Sequence, residues 1–338
     1  MHVVIRADGG PEIGYGHLVR TGALASELLK RGHDITYATT TPDQVREVCP
    51  DGVGTKLLPA RDDPVPAREF VRDHADVTVV DSYLVDAAYQ QQLRGVSLLV
   101  VIADDTRHAI TADVLVNGNL YGADLEYEVI GPQPDWCVGP DYLLLRSAIT
   151  DYAATEPPWR ETPERAIVTM GGSDTTERTP VVVRAFDGFD LRVDFIAGPG
   201  FSAEQEAAIE LAAESIQADT RVVRDPDDLP KRMFRSDFAV TTASTTTYEL
   251  LALGTPTICL PVVDNQLLIA DALDERDVAT VLNRTADESE FRDAIRQYEH
   301  DTRLRQKRRE SGRRLVDGRG AARIYGEILS LSDGKRSL

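Results

Sequence analysis

The sequence predicts an α/β protein made of two similar halves, each a parallel sheet covered by helices on both faces. Three observations predict it. From Met1 to about Ile149, short apolar runs alternate with helix-length segments, and such interleaving builds a parallel sheet. A second series of the same kind begins near Ala166. Between them, Thr150 to Pro163 is rich in proline, acid and threonine around Pro157-Pro158, the composition of a linker. At 338 residues the chain is long enough for two domains with separate cores.

In the first half, strands are expected over Val3–Arg6, Asp34–Ala38, Val77–Val80, Leu98–Ile102 and Val114–Val116. Helices fall between them at Leu18–Lys30, Asp43–Val48, Pro66–His74 and Asp86–Leu93. In the second half, strands are expected at Ala166–Met170, Arg192–Ile196, Thr220–Val223, Phe238–Val240 and Thr257–Leu260. Its helices are Glu177–Phe186, Ala203–Ser215, Leu229–Phe234 and Thr246–Leu253. Three further helices follow, Glu288–Tyr298, Asp301–Val316 and Ala321–Leu331, and a polar tail from Ser332 is expected to fray.

The most informative stretch is Ile13-Gly14-Tyr15-Gly16-His17-Leu18-Val19-Arg20, a glycine-rich turn from the first strand into the first helix. Glycines there allow a tight turn and close approach of a ligand. The helix start offers free N–H groups and a partial positive charge. That charge disfavours an imidazolium at His17, so the ring is expected to be neutral and able to take a proton. The competing account is a plain strand–turn–helix connection with a half-buried histidine.

Composition excludes several functions. The chain carries 37 basic and 56 acidic residues, a net charge of −19. Lysine occurs only at Lys30, Lys56, Lys231, Lys307 and Lys335. This surface argues against nucleic acid or anionic membrane as partner and resembles surfaces that stay soluble in concentrated salt. The cationic stretch Arg303 to Arg314 is expected to be a solvated helix face. Apolar runs as short as Val96 to Ala103 cannot span a bilayer, and no signal-peptide pattern is present, so a cytoplasmic location is expected. Cys49, Cys137 and Cys259 lack metal spacing and are expected as buried thiols. No histidine–carboxylate set has metal-ligand spacing either, so neither metal nor cofactor is expected.

A dinucleotide fingerprint would need glycine where Val19 stands and an acid after the second strand, which instead ends Tyr37-Ala38-Thr39-Thr40. The P-loop and the Gly-x-Ser-x-Gly elbow are absent. The second half opens with Met170-Gly171-Gly172-Ser173-Asp174 after its first strand, a pair of glycines that suits a ligand or merely a sharp turn. Further on, Thr241 to Thr247 supplies hydroxyls before a helix, able to cap it and to hold a diphosphate. Glu249, one turn in, can accept bonds from vicinal ribose hydroxyls. Asp264-Asn265-Gln266 places polar groups beyond another strand.

These residues resemble a known family. Arg6-Ala7-Asp8 with Gly14 to Arg20 is similar to the opening of the UDP-2,4-diacetamido-2,4,6-trideoxy-β-L-altropyranose hydrolases of pseudaminic acid biosynthesis. The likeness continues through Asp81-Ser82-Tyr83, Asp104-Asp105, Asn117-Gly118-Asn119, Cys137 to Pro140, Leu143 to Arg146, Gly171 to Asp174, Tyr248 to Pro256 and Asp264 to Gln266. It implies the GT-B fold: two Rossmann-like αβα domains whose parallel sheets face across a cleft. Residues 1–150 would form the first domain and 163–315 the second, with 316–338 crossing back to the first. It implies His17 as general base and a UDP-sugar as substrate. It further implies substrate contacts from Asp8, Gly14, Tyr15, Gly16, Arg20 and Tyr83, and from Gly171, Gly172, Ser173, Ser244, Thr245, Thr246, Glu249, Asn265 and Gln266. Two departures bear on the sugar and phosphate seats: Tyr15 replaces a small hydroxyl residue, and Ala243-Ser244 replaces a glycine pair.

The expected activity is therefore hydrolysis of a UDP-linked 2,4-diacetamido-type deoxysugar by water attack at the anomeric carbon, with inversion. A glycosyltransferase using the same base on an acceptor hydroxyl is the first alternative. A non-catalytic nucleotide-sugar-binding subunit is the second.

Overall fold

The computed structural model describes residues 1–172, 174 and 176–336, the side chains of 333–336 excepted. Ser173 thus lies outside the described residues. The chain forms two compact units, Met1–Ser147 with Gly318–Leu338, and Ala148–Asp317.

The first unit contains β1 (His2–Ala7), α1 (Gly16–Lys30), β2 (Asp34–Thr39), α2 (Pro42–Val48), β3 (Gly54–Leu57), α3 (Pro64–His74), β4 (Val77–Asp81), α4 (Ala87–Arg94), β5 (Leu98–Ile102), β6 (Val114–Asn117) and β7 (Asp135–Val138). All seven strands are parallel, in the order β3-β2-β1-β4-β5-β6-β7. Side chains alternate across β1: Val3, Ile5 and Ala7 join a core with Leu24 and Leu28 of α1, while Val4 faces Val71 of α3 and Leu93 of α4. Helix starts are set locally. Asp63 and Asp86 accept from the N–H groups of Val65 and Tyr89 at 3.0 and 2.9 Å, satisfying donors the helices leave unpaired.

The second unit contains α5 (Ser147–Ala153), which begins at the boundary, then β8 (Arg165–Thr169), α6 (Thr179–Ala185), β9 (Arg192–Ala197), α7 (Ala203–Glu214), β10 (Asp219–Arg224), α8 (Leu229–Arg235), β11 (Phe238–Thr242), α9 (Thr245–Leu253), β12 (Thr257–Leu260), α10 (Leu267–Glu275), β13 (Thr280–Val281), α11 (Glu288–His300) and α12 (Thr302–Leu315). Its parallel order is β10-β9-β8-β11-β12-β13. Phe186, Phe195, Phe238, Phe291 and Tyr298 fill the space between this sheet and α6, α7 and α11. The last helix, α13 (Gly320–Arg336), belongs to the first unit, where Ile324 and Ile328 enter the core beside α1.

Several expectations are corrected. The tail from Ser332 does not fray at once; helix continues to Arg336. The structure adds β3, β7, β13, α5 and α10 to the elements the sequence predicts. The stretch Arg303 to Arg314 is solvated on one face only: Arg303, Lys307, Glu310 and Arg314 are exposed, while Arg305 is fully buried, and Arg308 and Arg309 nearly so. Arg305, Arg309 and Arg313 lie four residues apart on one face of α12 and bind segment 153–161. Arg305 donates to the carbonyls of Tyr298 (3.1 Å), Arg160 (3.3 Å) and Glu161. Arg309 donates to the carbonyls of Pro158 (2.9 Å) and Pro157 (2.7 Å) and to the Glu156 carboxylate. Arg313 donates to Thr155 O (2.9 Å), Ala153 O (3.1 Å) and Glu156 Oε2 (2.6 Å). The indole of Trp159 lies beneath the guanidinium groups of Arg305 and Arg309. The proline-rich segment is therefore bolted down within the second unit. Prolines lack N–H groups but keep their carbonyls, and buried carbonyls need donors.

Cys49, Cys137 and Cys259 are free and buried. No described helix is long and apolar enough to cross a membrane.

Candidate functional site

In each sheet the chain order reverses at the first strand. β1 lies between β2 and β4, and β8 between β9 and β11. Connections leave in opposite directions at such a point and open a crevice beyond the carboxyl ends of the two strands. The candidate residues gather at these two places.

In the first unit, Gly10 and Gly14 exchange backbone hydrogen bonds, N–H to O at 3.2 and 2.7 Å, closing the loop after β1. Gly14 has φ +86°, a conformation side chains rarely adopt. Tyr15, 36% exposed, and Gly16 lead from it into α1. His17, the helix's second residue, is nearly buried. Its Nδ1 lies 2.6 Å from Oδ1 of Asp81, the last residue of β4. One turn on, Arg20 forks onto the same carboxylate, Nε to Oδ2 at 2.5 Å and Nη2 to Oδ1 at 2.6 Å. Its Nη1 donates to Asp104 Oδ2 at 2.8 Å, and the Tyr83 hydroxyl donates to that oxygen at 2.9 Å. The Tyr83 ring meets His17 edge-on, with centroids 4.7 Å apart, and Arg107 covers its face at 3.8 Å.

Burial of Asp81 opposes its charge, but Arg20's charge and hydrogen bonds, with those of His17, hold its carboxyl below the ordinary value. Burial likewise opposes Arg20's charge, yet Asp81 and Asp104 raise its pKa well above normal. Burial, reinforced by Asp104, pushes Tyr83 up to about 12, so it remains a donor. The tautomer of His17 follows. An ionised Asp81 requires a proton on Nδ1. Arg20 Nη2, 3.1 Å from Nδ1, carries only donors and spends them on Asp81. That leaves the lone pair on Nε2, which makes no hydrogen bond among the described residues. A histidine oriented by a buried carboxylate, with its outer nitrogen unengaged, is equipped to take a proton.

Asp81 and Asp104 were missed as site residues. Each stands in a polar cluster at a strand's carboxyl end, Asp81 as the last residue of β4 and Asp104 two residues after β5, and that position is the available signal. The helix dipole expected at His17 is joined by two full charges of opposite sign. Asp8 is separate from this network. It is 1% exposed, and its carboxylate is engaged by Arg6 (2.6 Å), Thr39 Oγ1 (2.9 Å), Thr40 N–H (2.7 Å) and Thr40 Oγ1 (2.9 Å). It ties the loop after β1 to the loop after β2.

In the second unit, Gly171 and Gly172 follow β8, and Ser244, Thr245 and Thr246 follow the adjacent β11. Hydroxyls secure the second turn: Thr247 Oγ1 donates to Thr242 O at 2.9 Å, and Thr242 Oγ1 donates to Ser244 Oγ at 3.3 Å. Thr245 is exposed and Thr246 half-buried in the first turn of α9, where N–H groups have no intrahelical acceptor. Glu249 is half-buried one turn along. Asn265 is exposed in a single 3-10 turn after β12, while Gln266 Oε1 accepts from Val262 N–H at 2.8 Å and steadies that loop. Asp174 is buried and accepts from the N–H groups of Arg178 and Thr179 at 3.0 and 2.8 Å.

Gly198 and Gly200 after β9 were also missed. Gly200 N–H donates to Gly172 O at 2.8 Å, and a Cβ on Gly198 would lie 2.6 Å from the carbonyl oxygens of Gly171 and Gly172. Backbone on both sides cannot yield cheaply. Gly198→Ala is expected to cost about 1–3 kcal/mol and displace the glycine loop. Thermal melts check this; an unchanged melting temperature would show the loop accommodates the methyl.

No known protein-family profile matches the chain. It is 24% identical over 271 residues to an uncharacterized protein of Methanocaldococcus jannaschii, covering 77% of this chain and 55% of that protein, so it spans about half the length of that relative. It is 26% identical over 342 residues to the spore coat polysaccharide biosynthesis protein SpsG of Bacillus subtilis, covering 96% of each. Among solved structures, MurG of Acinetobacter baumannii matches with TM-score 0.71 at 12% identity, over 97% of this chain and 99% of that one. The glycosyltransferase VinC in complex with dTDP matches with TM-score 0.67 at 16% identity, over 98% and 100%. The two Rossmann-like units thus have the GT-B glycosyltransferase fold.

Proposed function

We propose that the protein is an enzyme that releases UDP from a UDP-linked 2,4-diacetamido-type deoxysugar by activating water at the anomeric carbon. The observation that carries the reading is the buried Asp81–His17 pair with Nε2 unengaged. In this reading the first unit, residues 1–150 in the family-based division, supplies the base and the sugar contacts, among them Tyr15, Gly16, Arg20 and Tyr83. The second, 163–315, holds UDP: Glu249 takes the ribose hydroxyls, and N–H groups at Thr245 and Thr246 meet the charge growing on the departing diphosphate. Asn265 and Gln266 attend the sugar. Water attack opposite the leaving group inverts configuration. The acidic, lysine-poor surface supports a working medium of concentrated salt, and buried thiols suit a reducing cytoplasm.

A second reading, transfer to an acceptor hydroxyl by the same base, is favoured by the likeness to VinC, a glycosyltransferase. One experiment separates them: incubation with a panel of UDP-N-acetylsugars, with and without acceptors, following UDP and free sugar. UDP release without acceptor supports hydrolysis, and release only with acceptor supports transfer. Tight UDP binding with no release under any condition would mean a binding subunit. Glu249→Ala is expected to weaken UDP binding about 10- to 100-fold by removing a charged acceptor. Calorimetric titration checks it, and an unchanged Kd would remove Glu249 from the ribose site.

A further inference from the structure

At the amino-terminal end of the second unit's sheet, a cavity of about 160 Å³ opens between the starts of β8 and β9, β10, and α8. Its walls carry six cations: Arg165, Arg192, Arg221, Lys231, Arg232 and Arg235. This concentration stands out in a chain where acidic residues outnumber basic ones, 56 to 37. The nearby carboxylates are already engaged. Arg232 bridges Asp194 (2.7 Å) and Asp228 (2.6 Å), and Arg192 pairs with Asp219 (2.8 Å). The side chains of Arg165, Arg221, Lys231 and Arg235 make no hydrogen bond or ion pair among the described residues. Asp194 and Asp228 share the wall and Asp219 lies within electrostatic reach of Arg221, yet the six cations outnumber these three carboxylates, and the remaining repulsion is relieved by an anion of more than one charge. Guanidinium forks suit phosphate oxygens, and the cavity has the volume of roughly five waters, enough for two phosphoryl groups.

We propose that this cavity is a binding site for a multivalent phosphate anion, distinct from the loops after β8 and β11. Arg165 and Thr169 bound opposite ends of β8, roughly 13 Å apart at strand rise, so the two places lie at opposite ends of the strands. Occupancy neutralises the wall and stabilises the folded unit by mass action.

The test uses the full chain and inorganic pyrophosphate at low ionic strength, by calorimetric titration and thermal melts, with and without saturating UDP. The variant is Arg221→Ser with Lys231→Ser, both exposed. Pyrophosphate is expected to bind the unaltered protein and raise its melting temperature, with UDP present or absent. In the variant, binding is expected to weaken by about tenfold or more as two charge-assisted contacts are lost. Absence of binding, binding indifferent to the double substitution, or binding abolished by UDP would each overturn the proposal. A direct UDP titration reads the nucleotide site separately, so failure there leaves this result interpretable.

Discussion

Replacing His17 with asparagine is expected to lower UDP release by roughly 10²–10⁴-fold while leaving UDP affinity unchanged. Asparagine keeps a polar side chain near Asp81 but has no basic nitrogen to take a proton from water or an acceptor. Asp81→Asn should come close to the same loss with the imidazole still present. An amide at residue 81 can donate to Nδ1 and so move the ring proton to Nε2, silencing the atom proposed as base. Asp81 is a positioning residue, and the readout that distinguishes it from a packing residue is the split between kcat and UDP affinity. A merely structural loss would lower both and shift the melting temperature; loss of the tautomer lowers kcat alone. Arg20 keeps its contact to Asp104 in that variant, which limits collapse of the network. Steady-state UDP release with matched UDP titrations decides the matter. Full turnover in His17→Asn would remove the imidazole from the chemistry, and full turnover in Asp81→Asn would leave the ring acting without its carboxylate.

What could be read from the chain follows from burial. β1, β4, β5, β8, β11 and β12 are buried along most of their length and are built mainly of apolar residues, so they stand out in the sequence. β3, β7 and β13 are edge strands. β3 reads Gly-Thr-Lys-Leu with no apolar run, and β7 offers only Trp136-Cys137-Val138; Leu57 and Trp136 are 63% and 41% exposed. The same logic governs the site. The Gly14–His17 turn is local and therefore visible. The partnership of His17 with Asp81 depends on β4 lying beside β1, a neighbour relation between segments 64 residues apart that no local pattern states. The aspartates could be seen at their strand ends, but their partner could not. Gly198 was invisible for a related reason: its value lies in the backbone of another loop, which it must approach without a Cβ. The arginines of α12 were misjudged because charge runs are usually solvated, while these have acceptors that are backbone carbonyls about 150 residues earlier in the chain.

Those arginines set the second large effect. Arg305→Leu is expected to destabilise the protein by about 3–5 kcal/mol, because a fully buried guanidinium that joins three backbone carbonyls is removed. For a unit of this size each kcal/mol shifts melting by about 2–4 °C, so a fall of roughly 6–20 °C is expected. Leucine fills part of the volume and satisfies none of the oxygens. Lysine keeps the charge but cannot reach three acceptors with one ammonium, so Arg305→Lys should fall between leucine and the unaltered protein. The contrast is Arg46, whose pair with Asp43 is 62% and 85% exposed; Arg46→Ala should move stability by no more than about 0.5 kcal/mol. Calorimetric melts of the three variants give the ordering. If Arg305→Leu melts with the unaltered protein, the carbonyls of segment 153–161 find other donors, and α12 is not what fixes that segment to the second unit.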